Sequence, residues 1–130
     1  MKLIINTDGL SKGNPGIAAI GAVLKDEKGK TVATISHYIG VTTNNVAEYK
    51  ALIAALKKAI ELGCRNVVIR SDSELMVRQI CGLYKIRSLG LRPLYLEATK
   101  LLGQFEKADI KYIPREQNTE ADGLANDAVR

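Results

Sequence analysis

The sequence predicts an α/β domain on a five-stranded mixed sheet, three antiparallel strands followed by two parallel ones, flanked by helices. Three features of the chain point there. Short apolar runs joined by polar turns occupy the stretch from Lys2 to Ile39. Apolar residues then recur at helical spacing, at Val46, Tyr49, Ile53, Leu56 and Ile60. Two later strand-like runs are each set off by helical segments, the crossover that parallel neighbours require.

Lys2–Thr7 reads as a short buried strand ending at Asp8-Gly9, and Ser11 to Gly16 as a loop dense in turn residues. Ile17–Leu24 is a second strand, Lys25 to Lys30 a polar hairpin connection and Thr31–Ile39 a third strand. The long helix carrying Val46 to Ile60 meets Gly63 where a C-terminal cap glycine belongs. Asn66–Arg70 is a fourth strand, and Ser73–Cys81 a helix stopped by Gly82. Leu83–Leu91 is an irregular basic connection, after which Pro93 opens a helix running to about Phe105. Asp109–Ile113 is a fifth strand ended by Pro114, and Thr119–Val129 a closing helix. No repeat, linker or low-complexity segment breaks the pattern, so residues 1–130 are expected to form a single domain.

Composition narrows the function classes. With 46% hydrophobic and 25% charged residues, the chain falls in the globular range. No apolar run approaches the ~18–20 residues of a membrane span. The opening apolar run meets Asn6-Thr7-Asp8 too soon for a signal peptide. Cys64 and Cys81 are too few for a disulfide scaffold or a structural zinc site and are expected to be reduced thiols of a cytoplasmic protein. The net charge of +5 suits a polyanionic partner. Between Glu74 and Glu97 there is no acid, while Arg78, Lys85, Arg87 and Arg92 alternate with Tyr84 and Tyr95, a candidate basic surface with aromatic platforms. A solvated helix face would read the same way.

Four carboxylates belong together on this layout. Asp8 is expected at the end of the first strand, Asp72 at the end of the fourth, Asp122 in the first turn of the last helix and Glu48 in the first turn of the long one. If the first and fourth strands are parallel neighbours, these ends open on one edge of the sheet, where α/β sheets bind ligands. Each acid also has a plain structural explanation. Glu48 fits a capping box with Asn45. Asp72 could cap the helix beginning at Ser73. Asp122 could complement a helix dipole and Asp8 could serve a turn. None of these accounts for four acids meeting at one edge. Packed together they would repel and protonate unless a cation held them. Oxygen-only ligands select hard ions such as Mg²⁺ or Mn²⁺ over zinc, and two such ions suit in-line displacement at phosphorus.

The segments Thr7 to Gly16 (TDGLSKGNPG), Thr43 to Glu48 (TNNVAE), Ser71-Asp72-Ser73 and Asn118 to Ala125 (NTEADGLA) resemble the type 1 ribonuclease H family, in family order and spacing across essentially the whole chain. The resemblance implies a ribonuclease H-like fold, two Mg²⁺ ions with Mn²⁺ as a possible substitute, and hydrolysis of the RNA strand of an RNA–DNA hybrid to 5′-phosphate and 3′-hydroxyl ends. It carries the catalytic and metal-holding roles onto Asp8, Glu48, Asp72 and Asp122. Glu48 would also contact the ribose 2′-hydroxyl, the atom that separates RNA from DNA. Ser11, Asn14, Asn44 and Asn45 would line the minor-groove side of the hybrid, Thr43 would seat a DNA-strand phosphate, and Tyr84 would pack against the DNA strand. The expected partner is thus the hybrid, with no membrane, no small organic cofactor and a monomeric chain.

Two departures from the family pattern stand out. Many bacterial members carry a mobile histidine ahead of the last catalytic acid. Here that stretch reads Ile113 to Asn118 without one, and Arg115 looks like the stand-in, as in archaeal-type members. Arginine cannot donate a proton near neutrality, so its part would be electrostatic. The lone histidine, His37, falls on the third strand and reads as structural. The lysine-rich protrusion of some relatives is replaced by the short Leu83–Leu91 connection. The rival readings are a catalytically idle nucleic-acid-binding module and a DNA-cutting relative on the same fold. The four acids argue against the first; the Asn44-Asn45 pair and the Gly13–Gly16 loop argue against the second.

Overall fold

In the computed structural model, which describes residues 1–130, the elements follow the expected order. Strands β1 (Lys2–Lys12), β2 (Gly16–Lys25) and β3 (Thr31–Thr42) form an antiparallel meander. Helix α1 (Asn44–Glu61) leads to β4 (Asn66–Ser71), helices α2 (Glu74–Ile80) and α3 (Arg92–Leu102) to β5 (Lys107–Tyr112), and α4 (Thr119–Asp127) closes the chain. The sheet runs β3-β2-β1-β4-β5, with β4 parallel to both β1 and β5. No helix is long and apolar enough to cross a membrane.

The main core lies on one face of this sheet. Leu3 and Ile5 of β1 and Val67 and Ile69 of β4 pack with Tyr49, Leu52 and Leu56 of α1. Each side chain of that size contributes roughly 1.5–3 kcal/mol on burial. Helix α4 covers the other face, laying Ala121 and Ala125 against β2, which is therefore buried on both sides from Ala18 to Leu24.

Several boundaries differ from the sequence expectation, and each difference has a pairing partner behind it. β1 does not end at Thr7: its ladder with β2 continues to Lys12↔Ile17, so Asp8-Gly9 is strand and the loop shrinks to residues 13–15. β3 likewise runs to Thr42, because β2 offers partners that far. Thr43, not Asn45, caps α1, its side chain accepting from the Val46 amide at 3.3 Å, which moves Glu48 out of the first turn. Ser73 caps α2 in the same way, leaving Asp72 out of that role. α3 stops at Leu102 and β5 spans Lys107–Tyr112, since β5 takes its register from Asn66 to Ser71 of β4. A 3₁₀ turn at Arg115–Gln117 between β5 and α4 has no periodic signature to announce it.

Candidate active site

Parallel pairing brings the first two acids together. The β1–β4 ladder ends at Thr7↔Ser71, so Asp8 and Asp72 are the first residues beyond it on the two adjacent segments. Gly9 brings the third. A Cβ there would stand 2.2 Å from the carbonyl carbon of Ala47 and 2.4 Å from the Glu48 nitrogen, so only glycine lets the start of α1 rest on the strand. The Gly9 amide then donates to Glu48 Oε1 at 2.9 Å, a buried bond that replaces the capping role suggested for this glutamate. Gly21 does the same for the fourth. It pairs with Asp8 across the β1–β2 ladder, and its missing Cβ would meet Ala121 O at 2.2 Å. Helix α4 therefore lies directly against this point, and Asp122 in its first turn reaches the same cleft.

That cleft measures about 270 Å³ and gathers Asp8, Glu48, Asp72 and Asp122 with Asn44, Tyr112 and Arg115. Carboxylate oxygens of Asp8, Glu48 and Asp72 all lie within 4.8 Å of one another. Asp122 is outside that triplet and adjoins Asp8. Burial, then the charges of Glu48 and Asp72, then hydrogen bonding with Asp122 and its charge push Asp8 up to about 9. Glu48 is raised to about 8, chiefly by burial and by the charge of Asp72, with the Gly9 amide pulling the other way. Both acids are 5% exposed. Asp72 Oδ1 is buried with no hydrogen-bond partner. An unmatched carboxylate oxygen beside two proton-holding carboxyls is the arrangement a hard cation would relieve.

The expected substrate contacts fall into two groups. Asn44 lines the acid cleft, whereas its neighbour Asn45 lines a second groove of about 580 Å³ with Tyr84, Lys85, Arg87 and Gln79. Tyr84 is half exposed, and the Arg78 guanidinium sits 5.7 Å from its ring centroid. Glu74 holds that guanidinium through two bonds at 2.9 and 3.0 Å. Ser11, Asn14 and Thr43 are engaged locally. The Ser11 hydroxyl bonds Thr42 O at 2.8 Å and also Gly13 O, Asn14 Oδ1 accepts from the Asn44 amide at 3.0 Å, and Thr43 is the helix cap. They brace the start of α1. His37 lies apart, exposed on β3 in a depression with Lys57, Lys58 and Glu61.

Two residues of this region were missed from the sequence. Tyr112 pairs with Ser71 at the end of β5, so the third parallel strand opens on the same edge as the other two. A register count from Ser71, the residue before Asp72, would have found it. Gln79 lies under the second groove, its Oε1 accepting from the buried Tyr49 hydroxyl at 2.7 Å, and no local pattern marks that pair.

The family model described as Reverse transcriptase-like matches residues 6–128. The chain is 45% identical over 130 residues to "Bifunctional protein Rv2228c" of Mycobacterium tuberculosis, covering 99% of itself and 36% of that protein. It thus spans about a third of the length of the mycobacterial relatives it matches. The crystal structure of RNase H1 from Halobacterium salinarum superposes with a TM-score of 0.97 at 41% identity, over 99% of this chain and 98% of that one. LC11-RNase H1, isolated from compost and crystallised with an RNA/DNA hybrid, gives 0.93 at 44% identity, over 98% and 96%. Likeness of this extent, on a sheet whose order and acid-lined edge agree with the motifs that suggested it, assigns the chain: it belongs to the type 1 ribonuclease H family.

Proposed function

We propose that the chain is an endoribonuclease that hydrolyses the RNA strand of RNA–DNA hybrids and leaves 5′-phosphate and 3′-hydroxyl ends, using two Mg²⁺ ions for which Mn²⁺ can substitute. The observation that carries this is the meeting of three carboxylate oxygens within 4.8 Å, with a fourth acid in the same cleft. The donor set fits a hard divalent ion: every candidate ligand is an oxygen, and Asp72 Oδ1 is buried without a partner. Asp8, Glu48, Asp72 and Asp122 would hold the ions. When bound, such ions supply Lewis-acid neutralisation of the charge that builds on the phosphoryl oxygens.

The chain's own side chains do the rest. The Gly9 amide occupies Oε1 of Glu48, leaving Oε2 to receive a ribose 2′-hydroxyl and so to favour the RNA strand. Arg115 offers a permanent positive charge at the cleft, which draws a phosphate in without taking part in proton transfer. Asn44 and Asn45 divide between the two depressions, suited to touch both strands across a wide, shallow minor groove. Tyr84 supplies a stacking face, and Lys85 and Arg87 supply charge, for the strand that is not cut. All four acids come from one chain, so the cation-holding cleft is complete without a second subunit. A cytoplasmic setting suits the two free cysteines.

Purified protein given end-labelled RNA–DNA hybrid, duplex RNA and duplex DNA should cut only the RNA of the hybrid in Mg²⁺, and nothing in chelator. Binding without cleavage would instead indicate the idle module, and broken DNA strands the DNA-cutting relative. Arg115→Ala should lower kcat by about 100-fold, the low end of the range for loss of one electrostatic donor. His37→Ala should change it less than about 2-fold, since the residue touches nothing in the cleft. Steady-state kinetics showing the opposite ordering would remove Arg115 from the site.

A further inference from the structure

Asn118, near the cleft and with no part in the chemistry above, is almost completely buried, at 1% exposure. It stands at the cap position of α4, yet its side chain makes no capping bond to that helix. Its Nδ2 instead donates to Thr7 O at 2.8 Å, on the residue preceding Asp8, and its Oδ1 accepts from Asn6 Nδ2 at 3.0 Å. The backbone of the same residue ties two other parts of the site. Its amide donates to Arg115 O at 2.9 Å, closing the 3₁₀ turn, and its carbonyl accepts from the Asp122 amide at 3.1 Å.

One buried residue thus links β1, the 3₁₀ turn and the first turn of α4. Asn at a helix cap ordinarily turns inward to bond the helix's own N–H groups. Here that bond is given up for two that point at the strand carrying Asp8. Ala121 on Gly21 lets α4 approach the sheet, and Ser36 and Lys25 tie it to β3 and β2 through Leu124 O and Glu120. The Asn118–Thr7 bond is the tie to the strand that carries Asp8, and it bears on the distance from Asp122 to Asp8.

We infer that Asn118 is a positioning residue: it sets Asp122, and through the 3₁₀ turn Arg115, against Asp8. The assignment rests on the activity proposed above. Groups that orient metal-holding carboxylates cost about 10–100-fold in metal affinity or activity when removed.

The test uses the whole chain and two readouts, Mn²⁺ affinity by calorimetry and steady-state cleavage of a hybrid, below the melting temperature of every variant. Asn118→Ala should weaken Mn²⁺ binding about 10-fold and lower kcat about 30-fold, with KM within 3-fold. In an Asp122→Asn background the same change should weaken Mn²⁺ binding less than about 2-fold further, because the side chain it positions is already disabled. Asn6→Ala removes only the bond to Oδ1, at a half-buried site, and should show the same pattern at about 3-fold. If Asn118→Ala does not fold, Asn6→Ala decides. Equal losses of Mn²⁺ affinity with and without Asp122, or lower thermal stability with unchanged kcat and Mn²⁺ affinity, would overturn the inference. A parent protein that binds Mn²⁺ but cuts no hybrid would overturn the proposed activity instead, while the Mn²⁺ comparison would still decide the part played by Asn118.

Discussion

Asp8→Asn is expected to abolish hybrid cleavage, by on the order of 10³-fold or more, while making the metal-free protein more stable at neutral pH. The first half follows from position. Asp8 lies within 4.8 Å of Glu48 and Asp72 and hydrogen-bonds with Asp122, so its removal would cost the cleft a central carboxylate that would hold a cation, an effect of several kcal/mol at about 1.4 kcal/mol per factor of ten. The second half follows from linkage. The Asp8 carboxyl, with an ordinary value of 3.8, is raised to about 9 in the folded chain, and Glu48 goes from 4.5 to about 8. A group raised on folding binds its proton more tightly in the native state. The stability it contributes is complete below the unfolded value and is lost as pH climbs through the folded one. In chelator, the metal-free protein should therefore lose stability between about pH 4 and pH 9. Asparagine does not titrate, so the gap in unfolding free energy between Asp8→Asn and the parent should widen from pH 5 to pH 8, reaching on the order of 2 kcal/mol. Adding Mn²⁺ should stabilise the parent and close that gap. Melting curves at several pH values, with chelator and with Mn²⁺, measure both effects. A gap that stays constant with pH would mean the acids are not held protonated by one another and by burial.

Gly9→Ala should be among the most damaging single methyl groups in the chain. The added Cβ would meet Ala47 carbonyl carbon and oxygen at 2.2 and 2.4 Å, and these are backbone atoms that no rotamer change can move. Either β1 bends or α1 backs away, at a cost of about 3 kcal/mol or more, which is roughly 10 °C for a chain of this size. Retreat of α1 also breaks the Gly9–Glu48 bond and carries Glu48 out of the cleft, so cleavage should fall by about 10²-fold even where the variant stays folded. Gly123→Ala is the matched control. It lies within α4 with nothing within 4 Å of the added carbon, and alanine favours a helix by up to about 1 kcal/mol. Its melting temperature should hold or rise. Thermal unfolding of the pair separates a close backbone approach from a general aversion to substitution.

Much of the architecture was legible because it is written in short-range periodicity. Val46, Tyr49, Ile53, Leu56 and Ile60 can face one core only as a helix, and Val67-Val68-Ile69 in a six-residue β4 has room only as a buried strand. The element order follows from those local patterns, whereas the parallel pairing of β1 with β4, on which the gathering of the acids at one edge depends, entered the sequence reading as a condition and is supplied by the sheet. The residue roles carried over from the family motifs remain proposals on that frame.

Tertiary structure alone decided how far each strand runs and what each polar group meets. Asp8 sits in mid-strand because β2 outlasts β4 as a partner, and no pattern within β1 records the length of its neighbours. Whether Glu48 caps its own helix or takes the Gly9 amide 39 residues away is settled by the close approach that Gly9 permits. Asn118 abandons its cap to bond Thr7, 111 residues back along the chain. Local sequence dictates periodicity, since neighbouring residues share one backbone geometry. Contacts between distant residues depend on which surfaces come within about 3 Å once the layers have packed, and that distance exists only in the folded chain.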